Sequence, residues 1–158
     1  ELFFHMKEHY PHEAILFFEG EEREVFQCLV KEYAMPSSDT SGYGKGEGHP
    51  QIAGTFPRYL GKMVREKKLL SVEEAVYKAS LLPAELFGFE RKGCIEPGMD
   101  ADLVVFSMEE ICDRADYPHV GLPDAKPEGV FYVIADGECV VAEGEYQDTR
   151  SGKNLKKL

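Results

Sequence analysis

Asp39 is the residue with the clearest chemical freedom in this chain. It sits in Ser37-Ser38-Asp39-Thr40-Ser41-Gly42, where small polar neighbours leave room for a metal, a water or a substrate. A carboxylate so placed can take a proton in one step and return it in the next, as a general base and then a general acid. It can equally open a turn by bonding its own backbone, and spacing alone leaves both readings standing. Ten residues on, His49-Pro50-Gln51 adds an imidazole and an amide. A single His in a loop packs or caps more often than it ligates, because a zinc site needs about four converging donors.

Three other groupings invite a chemical reading. His5-Met6-Lys7-Glu8-His9 fits H-x-x-E-H, a zinc-protease pattern with two His one helical turn apart. Only three positions are fixed, Pro11 stops the helix almost at once, and a third ligand would have to come from elsewhere. The pattern is read as coincidence. Asp100 and Asp102 resemble a carboxylate pair, but alternation into the next strand is expected to send them to opposite sides. Both are read as structural. Arg58, expected at the start of a helix, is read as a salt bridge or loop anchor.

The elements that must position these residues follow from periodicity. Leu2 to Tyr10 suits a short helix. Ala14 to Phe18 is a compact apolar run, the pattern of a strand buried on both faces. Glu21 to Tyr33 places Val25, Phe26, Leu29 and Val30 on one helical side. A short strand from Ala34 to Asp39 and a Gly-rich loop, Ser41 to Gly48, then complete a βαβ unit. A second helix is expected near Thr55, with Pro57 in its first turn and Phe56, Leu60, Met63 and Val64 inward. Ser71-Val72-Glu73-Glu74 is a capping box, leading a helix that buries Val72, Ala75, Val76 and Ala79. Pro83 to Phe87 makes a last short helix with Gly88 as its cap.

Beyond residue 90 the pattern turns to strands. Leu103 to Phe106 is strand-like, and Val130 to Ala135 and Glu138 to Ala142 flank Asp136-Gly137, the signature of a two-residue hairpin. Pro118 to Gly129 has no period and is expected to be a loop. The chain is thus expected to divide into an α/β part, residues 1–90, and an all-β part, residues 91–158.

Composition bounds the partners. The chain has 158 residues, 43% hydrophobic and 30% charged, with a net charge of −11. That surface repels phosphate backbones and anionic lipid, so no nucleic-acid and no membrane partner is expected. Cys28, Cys94, Cys112 and Cys139 show no C-x-x-C. They are expected to be buried free thiols in a reducing compartment, the cytoplasm. The start, Glu1-Leu2-Phe3-Phe4-His5, has no Met and no signal-peptide order and is read as a cut through a longer chain.

Several stretches, taken in order, resemble the D-aminoacylases, the N-acyl-D-amino-acid deacylases of the amidohydrolase superfamily. They are Ser38 to Gly42, His49-Pro50-Gln51, Gly54 to Arg58, Leu69 to Val76, Leu82 to Gly88, Gly93 to Phe106, Val133 to Gly137, Gly144-Glu145 and Thr149 to Lys153. The resemblance implies an α/β fold. Residues 1–90 would be the C-terminal part of a (β/α)8 TIM barrel, with Asp39 closing its last strand, and residues 91–158 part of a small β-sandwich.

It also implies the chemistry. Asp39 would contact the metal and handle protons beside a water whose pKa zinc draws down to about 7. Ser41, His49 and Gln51 would line the substrate. Relatives are expected to carry Arg where this chain has Gln51, holding a substrate carboxylate by paired charged hydrogen bonds; Gln brings no charge.

Zinc is expected in the intact enzyme, with none held by this piece alone, because no H-x-H metal pair occurs in it. The expected partners are a small-molecule amide, the remainder of the same chain, and a second copy as another way to cover open barrel edges. A cyclic-amide hydrolase of the hydantoinase or dihydroorotase kind, and a non-catalytic assembly module, are the alternatives.

Overall fold

The computed structural model describes residues 1–11, 20–40 and 44–155. The expected strand from Ala14 to Phe18, and Ser41 with it, lie outside the described residues.

Helix α1 spans Leu2–His9 and buries nothing. Helix α2, Glu22–Leu29, carries Glu22 and Glu24 in its first turn, where negative charge suits the helix dipole. Only Phe26 of α2 is buried and Val25 is half exposed, so the expected four-residue apolar side is narrower. The helix also stops short of Tyr33. The carbonyls of Lys31 and Ala34 turn instead towards the ammonium of Lys78. Residues 34–40 form no strand, correcting that expectation. Among the described residues no strand lies beside them, and an extended segment without a neighbour makes no ladder.

Helix α3 runs from Gln51 to Arg58, four residues ahead of the expected start. Pro50, with φ −59°, presets the entry. Pro57 and Arg58 therefore lie in its last turn, not its first. A proline there has no N–H for the carbonyl one turn back. Beyond it the winding widens into a π-helix, π1, Tyr59–Glu66, at whose end Lys67 N donates to Lys62 O at 2.9 Å. The change of winding alters which residues face inward. Tyr59, Met63 and Val64 are buried, whereas Phe56, expected inside, is 40% exposed.

Helix α4, Val72–Ala79, starts on the expected capping box: Glu74 N donates to Ser71 Oγ at 3.1 Å and Ser71 N to Glu74 Oε2 at 2.8 Å. Its inward face is Ala75 and Lys78, while Val72 and Val76 are exposed. The buried stripe is thus narrower than predicted, since a lysine fills the place one turn beyond Ala75. Helix α5, Leu81–Phe87, ends at Gly88 with φ 74° and ψ 38°, a left-handed cap that glycine adopts without strain. The core of this half joins Phe26, Tyr59, Met63, Val64 and Ala75, with Leu29, Leu60 and Met108 packed against it.

Strands β1 (Leu103–Phe106), β2 (Val130–Ala135), β3 (Glu138–Ala142) and β4 (Glu145–Tyr146) form one antiparallel sheet in sequence order. Asp136 and Gly137, with φ 50° and 84°, make the expected hairpin turn, since two positive φ values match the twist of the strands. Asp100 and Asp102 do not point to opposite sides: both reach Lys92. Asp102 N donates to Asp100 O at 3.0 Å, so a tight turn replaces the extended backbone that alternation needs.

The four thiols are free but none is buried; Cys28 and Cys139 are exposed. Cys28 lies on the outer side of α2 and Cys139 in the sheet, none of whose strands contains a buried residue.

The two halves meet through Arg65. Its Nη1 donates to the carbonyls of Met108, Glu109 and Ile111 at 3.3, 3.0 and 2.7 Å. Gly61 allows this approach, since a Cβ there would lie 2.8 Å from Ile111 O. Among the described residues no helix is long and apolar enough to cross a membrane.

Candidate functional site

Asp39 stands at the end of the irregular segment that leaves α2, with its backbone at φ 46°. Asp is among the few non-glycine residues that enter this left-handed region readily. Its side chain is exposed, and among the described residues the carboxylate makes no hydrogen bond. Its main chain is held. Asp39 N donates to Ser37 Oγ at 3.4 Å, and Gln51 Nε2 donates to Asp39 O at 3.1 Å. Thr40 Oγ1 donates to Ser38 Oγ at 2.7 Å, so the neighbouring hydroxyls satisfy each other and leave the carboxylate alone.

Gln51 and His49 gather at the start of α3. The main-chain N–H of Gln51 donates to His49 Nδ1 at 3.1 Å. With Nδ1 accepting, a neutral imidazole carries its proton on Nε2, which lies 3.2 Å from Tyr117 Oη. The two rings meet edge to face, with centroids 5.1 Å apart. Both nitrogens of His49 are thus engaged within the protein.

Around these residues lies a cleft of 460 Å³ between α3 and the 113–117 segment, its wall including His49, Gln51, Gly54, Arg58, Asp113 and Tyr117. Gly54 keeps the cleft open to Asp113, whose Oδ1 would be 2.5 Å from a Cβ at that position. Asp113 Oδ1 in turn accepts from Ala115 N at 2.8 Å, fixing the turn that carries Tyr117. Arg58 bonds Glu22 at 2.6 Å and lies 3.5 Å from Asp113. For Glu22, burial would raise the carboxyl, but the hydrogen bond from Lys62 and the charges of Arg58 and Lys62 hold it below its ordinary 4.5. Arg58 is therefore tied across the cleft wall.

The structure brings together Asp39, His49 and Gln51. Ser41 lies outside the described residues. Sequence reasoning missed Tyr117 and Asp113, which sit in Asp113-Arg114-Ala115-Asp116-Tyr117-Pro118, a stretch without period. A polar cluster ahead of a proline is the one signal there, and it says turn, not site.

Among the described residues no three His, Cys, Asp or Glu side chains come close enough to hold an ion. Asp39 supplies one oxygen, and the rings of His5 and His9, 4.1 Å apart on α1, have no third partner of this kind. The described residues alone do not make a zinc site, which needs about four donors.

Comparison with known proteins adds a family and relatives. Residues 37–141 match the model described as Amidohydrolase family. The chain is 36% identical over 142 residues to an N-acyl-D-glutamate deacylase of Alcaligenes xylosoxydans xylosoxydans, which covers 88% of this chain and 27% of that protein. It superposes on the crystal structure of a D-aminoacylase with a TM-score of 0.78 and 32% identity, covering 86% of this chain and 28% of the other. It also superposes on an N-acyl-D-glutamate deacylase from Bordetella bronchiseptica, solved with zinc and a phosphonate that mimics the tetrahedral intermediate. There the TM-score is 0.70 with 33% identity, over 84% of this chain and 27% of that one. The chain spans little more than a quarter of these relatives' length.

Proposed function

The chain belongs to the amidohydrolase family, and from that premise we propose that the intact protein is a zinc-dependent deacylase of N-acyl-D-amino acids. Asp39 is its proton-handling carboxylate. The observation that carries this reading is the placement of Asp39: its main chain is held from α3 while, among the described residues, its carboxylate has no partner. A carboxylate with a fixed main chain and a free side chain can accept a proton and return it without first breaking a bond of its own.

In this reading residues 1–90 are the closing portion of a (β/α)8 barrel and residues 91–158 a portion of a β-sandwich. The segment ending at Asp39, which has no strand neighbour among the described residues, then pairs with barrel strands elsewhere in the protein. The missing metal donors come from the same source, and the chain alone is inactive. Because the donors in hand do not complete a metal site, no step is derived through the ion.

What this chain contributes is proton transfer. As water attacks the amide carbon, the Asp39 carboxylate accepts its proton. When the carbon–nitrogen bond breaks, the same group returns that proton to the leaving nitrogen, giving a carboxylic acid and a free D-amino acid. The deacylases that the chain resembles support this substrate class.

The test is an assay of the intact, metal-loaded protein on N-acetyl-D-amino acids, their L forms and a cyclic amide. Hydrolysis of D forms, slowed about 10²–10⁴-fold in Asp39→Asn, is the expected result. Cleavage of the cyclic amide alone, no cleavage at all, or an Asp39→Asn variant at full rate would each overturn the reading.

A further inference from the structure

Resting on Asp39 as the acid and base of that reaction, we propose that Gln51 is its positioning residue, and that His49 and Tyr117 hold Gln51 for the task. The bonds form a continuous series. Tyr117 Oη accepts from His49 Nε2, His49 Nδ1 accepts from Gln51 N, and Gln51 Nε2 donates to Asp39 O. Among the described residues, two bonds reach the Asp39 main chain: the Ser37 one is long and local, and the Gln51 one comes from another element. Asp enters the left-handed region readily but is not confined to it, and at Asp39 the Gln51 bond supplies a restraint from outside the segment. Ahead of α3, Gly46 N donates to Asp124 Oδ2 at 3.0 Å, which holds the 44–48 segment.

The bond also explains why an amide stands at position 51. The Asp39 carbonyl accepts and cannot donate, so its partner must carry an N–H. Glutamate, of the same shape, has none when ionised. With Nε2 committed to Asp39, this side chain aims the catalytic segment and does not meet the substrate. Gln51 acts through Asp39.

The experiment uses the intact, metal-loaded protein with Gln51→Glu, Gln51→Ala and Gln51→Lys. The Glu and Ala variants should lose kcat by roughly tenfold to a hundredfold, as expected for a misplaced reacting group, with KM little changed. Lysine, which keeps a donor of similar reach, should recover most of the loss. In an Asp39→Asn background, Gln51→Ala should add nothing to the loss of kcat.

A second readout needs no turnover. In the metal-free protein, amide exchange across residues 37–40 should quicken in Gln51→Ala and stay at the native rate across 59–66. A rise in KM with kcat retained would make Gln51 a substrate contact and overturn the proposal, as would unaltered exchange at 37–40. A full-rate Asp39→Asn variant instead removes the functional reading, and the exchange result then still decides whether Gln51 fixes Asp39.

Discussion

Lys78 Nζ lies 2.9 Å from the carbonyl oxygen of Ala34 and also bonds that of Lys31, with the lysine only 5% exposed. One cation from α4 thus gathers the turn that leads from α2 towards Asp39. Replacing it pits two effects against each other: relief of a desolvated ammonium, and two carbonyls left without their donor. Hydrogen bonds to charged groups contribute about 1.5–3 kcal/mol each, so the second should win. Lys78→Met is expected to cost about 2 kcal/mol in urea unfolding of the intact protein.

Gly61 gives a similar contest within a helix. Alanine is the better helix former by about 1 kcal/mol, yet its Cβ would meet the Ile111 main-chain oxygen at 2.8 Å. Backbone cannot rotate aside as a side chain can, and overpacking costs about 1–3 kcal/mol. Gly61→Ala should therefore lower the unfolding midpoint; a rise would show that the 108–111 segment yields freely.

Tyr59 predicts a limit at alkaline pH. Burial, helped by the charge of Glu74, pushes its phenol from 10.0 up to about 12, and among the described residues its hydroxyl has no hydrogen-bond partner. Between those values the unfolded chain has released a proton that the folded one retains, so stability falls as pH rises through that window. Tyr59→Phe should remove this contribution and flatten the decline. Thermal melts of both proteins from pH 9 upward would check it.

Asp102 and Lys92 predict the limits of their own pair. The Asp136 N–H, followed by Lys92, holds Asp102 below its ordinary 3.8. Its contribution is whole above that value and is lost as pH falls through the lowered one. Lys92, raised above 10.5 chiefly by its hydrogen bond with Asp102, contributes fully below 10.5 and loses that as pH climbs past it. Asp102→Asn should flatten the acid limb of a melting-temperature profile, and an unchanged limb would assign it elsewhere.

The sheet and the capped helices were legible because each rests on local chemistry. Asp136-Gly137 dictates a hairpin, Ser71 and Glu74 a helix start, and Gly88 a helix end, whatever lies around them. The entry to α3 was misread because Pro57 suits a first turn by propensity, while the winding change that follows it in the last turn has no signature in the local sequence. The expected strand before Asp39 failed for a related reason: a strand is a property of two segments, and one sequence window shows one of them. At the candidate site, Asp39 could be singled out by residue type, and His49 and Gln51 by resemblance to the family's His-Pro-Arg. Their mutual bonding could not, nor could Tyr117, since 66 to 78 positions separate it from Gln51 and Asp39 and no period links them.

Arg65 binds three consecutive-segment carbonyls across the junction between the helices and the strands. A crossing of that kind makes the junction a mechanical joint with little play. Denaturant should consequently melt both halves in a single step, and a protease should find the junction a poor place to cut. Shuffling this helical portion onto a foreign sheet would sever the attachment that keeps π1 seated.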